Sequence, residues 1–264
     1  MLNSIFSLAQ EAGLKILSIY EASSSHTQTK ADGSPLTAAD MAAHTTIVEG
    51  LRKITPDVPI LSEESAKIQY DLRRKWNTYW LVDPLDGTKE FIKRNGEFTV
   101  NIALIKNGVP VMGVVHAPAL GLSYFATQGS GAFKQEGNNK PALIHVTQHK
   151  PHDTLKIIGS RSHHDTRLDE LIEQLGRCEF QSMGSSLKFC LVAEGKAHFY
   201  PRLGPTMEWD TAAAHCIVLE AGGVVINCNE ETLHYNKPDL HNPPFAVLGA
   251  DNLELMAKLR MCKW

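Results

Sequence analysis

An apolar run, Tyr79-Trp80-Leu81-Val82, leads straight into Asp83-Pro84-Leu85-Asp86-Gly87-Thr88. The first four residues read as a buried strand, because aromatic and β-branched side chains suit a pleated surface covered by other elements. The next six set two carboxylates, a proline, a glycine and a hydroxyl where that strand ends and the backbone turns. A fold built on this segment must bring a core strand to an edge where acids are tolerated. Pro84 biases Asp83 towards an extended conformation and helps fix the turn. Asp83 and Asp86, three residues apart across it, can converge on one point, and the turn can aim the Leu85 carbonyl inward as a third oxygen. Magnesium takes oxygen ligands in a near-octahedral shell at roughly 2.0–2.1 Å, so these groups suit it. Gly87 lets backbone N–H groups come close to a phosphate. Thr88 opens the next element with its hydroxyl. The ordinary alternative is a surface turn whose aspartates cap the following helix. The leading strand and the doubled acid weigh against that.

The rest of the chain supplies further acids at element ends. Val58-Pro59-Ile60-Leu61 reads as a short strand that delivers Ser62-Glu63-Glu64. Beside the first strand it would set Glu63 opposite Asp83; clustered carboxylates repel one another unless cations sit between them. Thr37-Ala38-Ala39-Asp40 has the form of a capping box opening a helix, and a first-turn carboxylate can also face a cleft. Asp210, after Trp209, reads as an N-cap or as a ligand for a second cation.

The pattern predicts helices over 2–20 (Ile5, Leu8, Ala9, Ala12, Ile16, Ile19) and from near Thr37 to Pro56 (Ile47, Val48, Leu51, Ile54), with Ser23–Pro35 a loop between them. Strands follow over Tyr79–Asp83, Phe98–Ile105, Val109–His116 and Leu122–Ala126, with an Asn107-Gly108 hairpin turn. The first half therefore reads as two helices on an antiparallel meander. The polar, proline-punctuated stretch Asn138–Asp153 marks a boundary between an N-terminal α+β lobe, 1–145, and a C-terminal α/β lobe, 146–264. In the second lobe, strands over Leu155–Ser160, His198–Pro201 and Val224–Asn227 alternate with helices over Asp165–Leu175, Ser186–Glu194, Thr211–Ala221 and about Asn252–Arg260. Gly222-Gly223 stops the third of these.

With 26 Lys and Arg against 29 Asp and Glu, the net charge of −3 provides no basic field for nucleic acid. Five scattered cysteines without a C-x-x-C pair predict reduced thiols and a cytoplasmic protein. The first thirteen residues fail as a signal peptide, and no apolar run reaches the ~20 residues of a membrane span. The twelve histidines fall in no zinc-ligand spacing, and serine-hydrolase, P-loop and dinucleotide-binding signatures are missing.

Taken together, Glu63-Glu64, Asp83–Thr88 and Trp209-Asp210 resemble the inositol-monophosphatase superfamily of lithium-sensitive, magnesium-dependent phosphomonoesterases. Lys89-Glu90-Phe91, Ser160-Arg161-Ser162-His163, Gly184-Ser185-Ser186-Leu187-Lys188-Phe189-Cys190 and Tyr200-Pro201-Arg202 look like its bisphosphate-nucleotidase branch. The resemblance implies a layered α-β-α-β-α sugar-phosphatase fold. It implies two or three magnesium ions, with Glu63, Asp83 and the Leu85 carbonyl at one and Asp83, Asp86 and Asp210 at another. Asp40, Glu63 and Thr88 would be catalytic, and Gly87 would lie against the phosphate. His163, Ser185, Lys188 and Arg202 would face the nucleotide and its other phosphate. The implied substrate is adenosine 3',5'-bisphosphate, a by-product of sulfate assimilation, or 3'-phosphoadenylyl sulfate; the alternative is an inositol or sugar monophosphate. A monomer or homodimer, free or peripheral on the cytoplasmic face of the inner membrane, fits the same resemblance.

Overall fold

Alternate residues of one strand feed two different cores. In β2, Tyr79 and Leu81 point into one buried cluster, while Trp80 and Val82 point into another. Successive side chains leave a strand on opposite faces, so a run that is apolar at every position must be covered on both sides. The coordinates are a computed structural model describing residues 1–22, 34–150, 153–161, 166–249 and Leu255.

One cover is a pair of long helices. Helix α1, Leu2–Ala22, buries Ile5, Leu8, Ala9, Ala12, Ile16 and Tyr20 at three- and four-residue spacing. Helix α2 spans Ser34–Ile54. It starts three residues before the expected Thr37, with Pro35 in its first turn, where the missing N–H costs no hydrogen bond. Ala39, Ala43, Ile47 and Leu51 are its buried stripe. Beneath the helices lies a seven-stranded sheet of β1 (Ile60–Ser62), β2 (Thr78–Asp86), β3 (Thr99–Lys106), β4 (Val109–Ala117), β5 (Leu122–Thr127), β6 (Ala132–Glu136) and β7 (Ala142–Ile144), in that spatial order. Only β1 and β2 run parallel; the later pairs are antiparallel. Asn107 and Gly108 both have positive φ, 52° and 76°, the type I′ geometry expected of Asn-Gly. Short helices α3 (Tyr70–Arg73) and α4 (Thr88–Lys93) flank β2.

The second half adds β8 (Leu155–Ser160), α5 (Thr166–Leu175), β9 (Cys178–Met183), α6 (Leu187–Ala193), β10 (Phe199–Arg202), α7 (Glu208–Glu220), β11 (Gly223–Asn227) and β12 (Phe245–Gly249). Its five strands lie in the order β11-β12-β10-β8-β9. Helices α6 and α7 are packed between the two sheets, and α5 covers the far face of the second with Leu168, Leu171, Ile172 and Leu175. The layers are therefore α1/α2, first sheet, α6/α7, second sheet, α5: the layered α-β-α-β-α fold expected. Helix α7 is buried nearly all round, from Trp209 to Val218, as a helix between two sheets must be.

The sequence reading missed β6, β7, β9 and β12. β9 is an edge strand whose Glu179, Phe180 and Gln181 are exposed, so it lacks an apolar signature. β12, Phe245–Gly249, is fully buried between β10 and β11 in a tail that carried no signal beyond its own five residues. β7 falls within the stretch read as a boundary. The changeover between sheets lies between Ile144 and Leu155, yet one apolar cluster joins Leu81 and Val115 of the first sheet to Phe245 and Val247 of the second. Most of the loop expected over 23–35, and the last helix apart from Leu255, lie outside the described residues.

The closeness of α7 to the first sheet is set by Gly113 in β4. A methyl group there would collide with the Ala213 carbonyl. Gly113→Ala should therefore lower stability by about 1–3 kcal/mol, the usual cost of overpacking, read as an earlier midpoint in chemical denaturation. A variant as stable as the parent would show that α7 can shift freely.

Candidate active site

The parallel pairing of β1 with β2 sets Ser62 beside Val82, so Glu63 and Asp83 come next on neighbouring chains. A side-chain hydrogen bond joins them. Glu63 opens a one-turn 3-10 helix, Glu63–Ser65, and is exposed. Strand β2 does not stop at Asp83 as the sequence suggested. It continues to Asp86 with a register shift: Asp83 pairs with Asn101 and Asp86 with Thr99. The extra residue on the β2 side is a bulge, a device that re-aims side chains at the end of a ladder. The sharp turn comes at Gly87, with φ 93°, which caps α4. A side chain there would press on the Glu97 carbonyl at 3.0 Å and the Phe98 Cα at 3.1 Å, so glycine is required on two counts.

Each aspartate of the group has one oxygen anchored by a backbone N–H. Asp83 Oδ1 accepts from Leu85 at 3.1 Å, Asp86 Oδ2 from Ser186 at 2.7 Å, and Asp210 Oδ2 from Met207 at 2.9 Å. Two expectations need correcting here. Asp210 is not the N-cap of α7; Met207 is, and Asp210 is the third helical residue, because α7 starts at Glu208 rather than Thr211. Nor does Asp40 cap α2, since a helix starting at Ser34 carries it in the second turn. It is half-buried, with a buried Oδ1 that has no hydrogen-bond partner and a side-chain bond to Glu64.

These acids lie near one another in poorly solvated surroundings, and both causes raise their pKa values. Asp83 is pushed well up, by burial first and then by Asp86, Glu63 and Asp210. Burial followed by Glu64 pushes Asp40 up to about 8, and burial followed by Asp86 pushes Asp210 up to about 8. Glu63, though part of its side chain reaches solvent, is raised by desolvation of its carboxylate among its neighbours and then by Asp86. Asp86 is raised by burial, with Lys188 and the Ser186 N–H opposing. The donor set is oxygen only, which suits magnesium. Asp210, anchored on one oxygen, keeps the other for a ligand, and the Asp40 Oδ1 is buried without a partner. Among the described residues no group of three or more His, Cys, Asp and Glu side chains is arranged to hold a metal ion as it stands.

Beside this cluster lies a cavity of about 260 Å³. Asp86, Gly87, Thr88 and Asp210 line one side and Ser185, Lys188, Tyr200 and Arg202 another. Asp40, Glu63, Asp83 and Leu85 are outside its lining. Lys188 on α6 is buried; its ammonium donates to the Ser185 carbonyl and lies 5.5 Å from the Tyr200 ring centre. Burial lowers its pKa to about 8, with Asp86 opposing. Arg202 donates to Ser160 Oγ at 2.6 Å and the Pro205 carbonyl at 2.9 Å, and its Nε is buried without a partner. Ser185 has φ 46° and a buried, unpartnered Oγ. Unsatisfied buried donors on a cavity wall are what a bound anion completes. His163 lies outside the described residues. Ser186 drew no role from sequence alone, yet its Oγ bonds Thr99 and Asn101 while its N–H holds Asp86, tying the two halves together. The signal was the Gly-Ser-Ser turn before a helix.

Five alternating layers with an acidic bulge beside a cation-lined cavity define a sugar-phosphatase type of protein. A model of the inositol monophosphatase family matches residues 1–262, and the chain belongs to that family. It is 52% identical over 249 residues to a protein from Salmonella typhimurium named 3'(2'),5'-bisphosphate nucleotidase CysQ, covering 94% of this chain and 99% of that one. A protein of the same name from Escherichia coli K12 is 51% identical over the same length. The crystal structure of CysQ from Bacteroides thetaiotaomicron superposes with a TM-score of 0.84 at 46% identity, covering 94% and 96% of the two chains.

Acids whose pKa is raised on folding bind extra protons in the native state between their unfolded values, about 4, and their folded ones. Stability from this cluster is therefore present at low pH and lost as pH rises through about 8, the value at Asp40 and Asp210. Chelator-treated protein should melt at progressively lower temperature from pH 5 to pH 8, Asp83→Asn should flatten that slope, and magnesium should raise the melting point most at pH 8. A parent slope equal to that of Asp83→Asn would mean that the acids do not interact.

Proposed function

We propose that the chain is a magnesium-dependent phosphatase that removes the 3'-phosphate of adenosine 3',5'-bisphosphate, giving AMP and phosphate, with 3'-phosphoadenylyl sulfate as a second substrate, in sulfur assimilation. The observation that supports this best is the pairing of two unlike surfaces on one small cavity. One is a carboxylate cluster fit for hard cations; the other is a wall carrying Lys188 and Arg202, with buried donors at Ser185 Oγ and Arg202 Nε that lack partners. A monophosphate has no second charge for that wall. The names of the CysQ relatives point the same way.

In this reading Glu63, Asp83, the Leu85 carbonyl, Asp86 and Asp210 would hold two or three magnesium ions. Bound there, such ions would neutralise the acids, lower the pKa of an attacking water and stabilise charge on the leaving oxygen. Four carboxylates against two divalent ions leave a site near neutral that accepts a phosphate dianion. Thr88, at the start of α4, orients the water with its hydroxyl. Asp40, half-buried with an Oδ1 that has no hydrogen-bond partner, takes the water's proton. Glu63 assists. The Gly87 turn lets the backbone approach the phosphate. Ser185, Lys188, Arg202 and His163 face the nucleotide and its other phosphate. The two-lobe division, 1–145 carrying most of the acids and 146–264 carrying Asp210 and this wall, is proposed as a division of labour. No described helix is long and apolar enough to cross a membrane; we take the cytoplasm as the site of action and a small nucleotide as the partner.

Phosphate release should require magnesium and favour adenosine 3',5'-bisphosphate strongly over inositol 1-phosphate and AMP. Asp83→Asn should remove turnover while the protein stays folded, because it relieves carboxylate repulsion. Lys188→Ala or Arg202→Ala should raise KM for the bisphosphate by about tenfold, as loss of a charge-assisted bond does. Equal rates on inositol 1-phosphate, or no effect of the two wall variants, would favour a sugar or inositol monophosphatase instead.

A further inference from the structure

Glu97 lies between the two turns that form the cavity, and the reading above gives it no role. Its side chain is mostly buried, at 12% exposure. The carboxylate grips Arg161 in a two-point fork, Oε2 accepting from Nε at 2.8 Å and Oε1 from an Nη at 2.7 Å. The same Oε2 accepts the Gly184 N–H at 2.7 Å. Arg161, a cavity-lining residue, donates in addition to the Ser182 carbonyl at 3.0 Å. One carboxylate thus fixes both the backbone just before Ser185 and the guanidinium beside it.

The packing around this carboxylate leaves no slack. The Glu97 carbonyl lies 3.0 Å from where a Gly87 side chain would begin, and 2.7 Å from the corresponding point on Gly184. The Glu97 and Glu90 side chains also fill the space a residue larger than glycine would need at 184. The phosphate-side turn, Asp86-Gly87, and the wall-side turn, Gly184-Ser185, therefore both rest on Glu97. Beyond Gly184, Ser185 is held at φ 46° with a buried, unpartnered Oγ, and its carbonyl takes the Lys188 ammonium. A backbone in that conformation persists only when its surroundings hold it there. The Asp86 side already has the β2–β3 ladder and the Ser186 N–H to hold it. The wall-side turn is held from Ser186 onward by Asp86, Thr99 and Asn101, and at Gly184 itself by the Glu97 carboxylate.

We infer that Glu97 is a positioning residue for specificity: through Arg161 and Gly184 it sets Ser185 and Lys188 for the part of the substrate that is not hydrolysed. The inference rests on the proposed nucleotide bisphosphatase reading. Glu97 touches neither the substrate nor the reacting atoms. Arg161, its charge shared with the fork, acts as a strut and not as a phosphate anchor.

The test uses E97A, E97Q, R161Q and the E97A/R161Q double variant, each assayed with magnesium on adenosine 3',5'-bisphosphate and on p-nitrophenyl phosphate, which carries only a scissile phosphate. AMP binding is measured separately by calorimetry. E97A and R161Q should each raise KM for the bisphosphate and weaken AMP binding by about tenfold, the scale of a lost charge-assisted contact, with kcat on either substrate within about twofold of the parent. E97Q, whose amide oxygen can still accept from Gly184, should fall between E97A and the parent, so the inference does not rest on one variant folding. The double variant should be no worse than the worse single one, because the two residues act as a unit. Equal losses on both substrates, unchanged AMP affinity, or multiplying effects in the double variant would overturn the inference while the function stands. A parent with no preference for the bisphosphate would overturn the functional reading and this inference with it.

Discussion

Burying the Asp83 carboxylate is the constraint around which the rest of the molecule is arranged. It is 1% exposed, and the groups that act on it most strongly after burial are other acids. An ionised carboxylate in such a place costs several kcal/mol unless it is paired. A core strand has no reason to end this way, and a structure that keeps it there must fix the neighbours firmly. The β1–β2 register brings Glu63 alongside, the bulge turns Asp86 back towards it, and the N-terminus of α7 presents Asp210. Three elements distant in sequence are thereby committed to one point.

Helix α7 carries the mechanical side of this arrangement. Being apolar on nearly every face, it can lie between two sheets, and Gly113 lets it lie close to the first. Its position decides where Asp210 falls relative to Asp83 and Asp86, so packing in the middle layer reaches the acidic cluster without any contact by the packed residues themselves. The second sheet contributes through the turns that lead into α6 and out of β10, where Ser185, Lys188 and Arg202 stand. The acids and the cationic wall thus come mostly from different sheets, and the cavity lies where the two meet.

What could be read from the sequence divides along the same physical lines. Amphipathic helices and two-sided apolar strands announce themselves by period, so α1, the lower part of α2 and β2 to β5 were legible. Asp83, Asp86 and Glu63 were legible because strands ending in acids are uncommon. What escaped depended on tertiary contacts. Edge strand β9 has exposed polar and apolar residues alike, and β12 is recognisable only by its neighbours in the sheet. Local capping rules misplaced Asp40 and Asp210, because α2 starts at Ser34 and α7 at Glu208, each upstream of the side-chain signal read as its beginning. Glu97 and Ser186 bind partners 64 to 100 residues away, which no local pattern reveals.

A second buried acid shows that unsatisfied charge is not a general habit of this fold. Glu208, with no exposure at all, adjoins Trp209-Asp210. Its carboxylate accepts the backbone N–H groups of Asn236 and Lys237 at 2.7 and 2.9 Å and the Lys237 ammonium at 2.6 Å. Asn242 completes the frame, donating to the Met207 carbonyl and accepting from Lys237. The protein therefore supplies a cation and two donors where an acid serves to fix a helix start. Two residues further on, Asp210 receives one backbone N–H and otherwise faces Asp86 and Glu63, with Arg202 a weaker counterweight. The two acids stand on the same turn of one helix, so position in the chain does not account for the difference. An acid short of protein partners beside one fully provided for has an oxygen open to a partner from outside the polypeptide, and an oxygen-only group of such acids suits a hard cation.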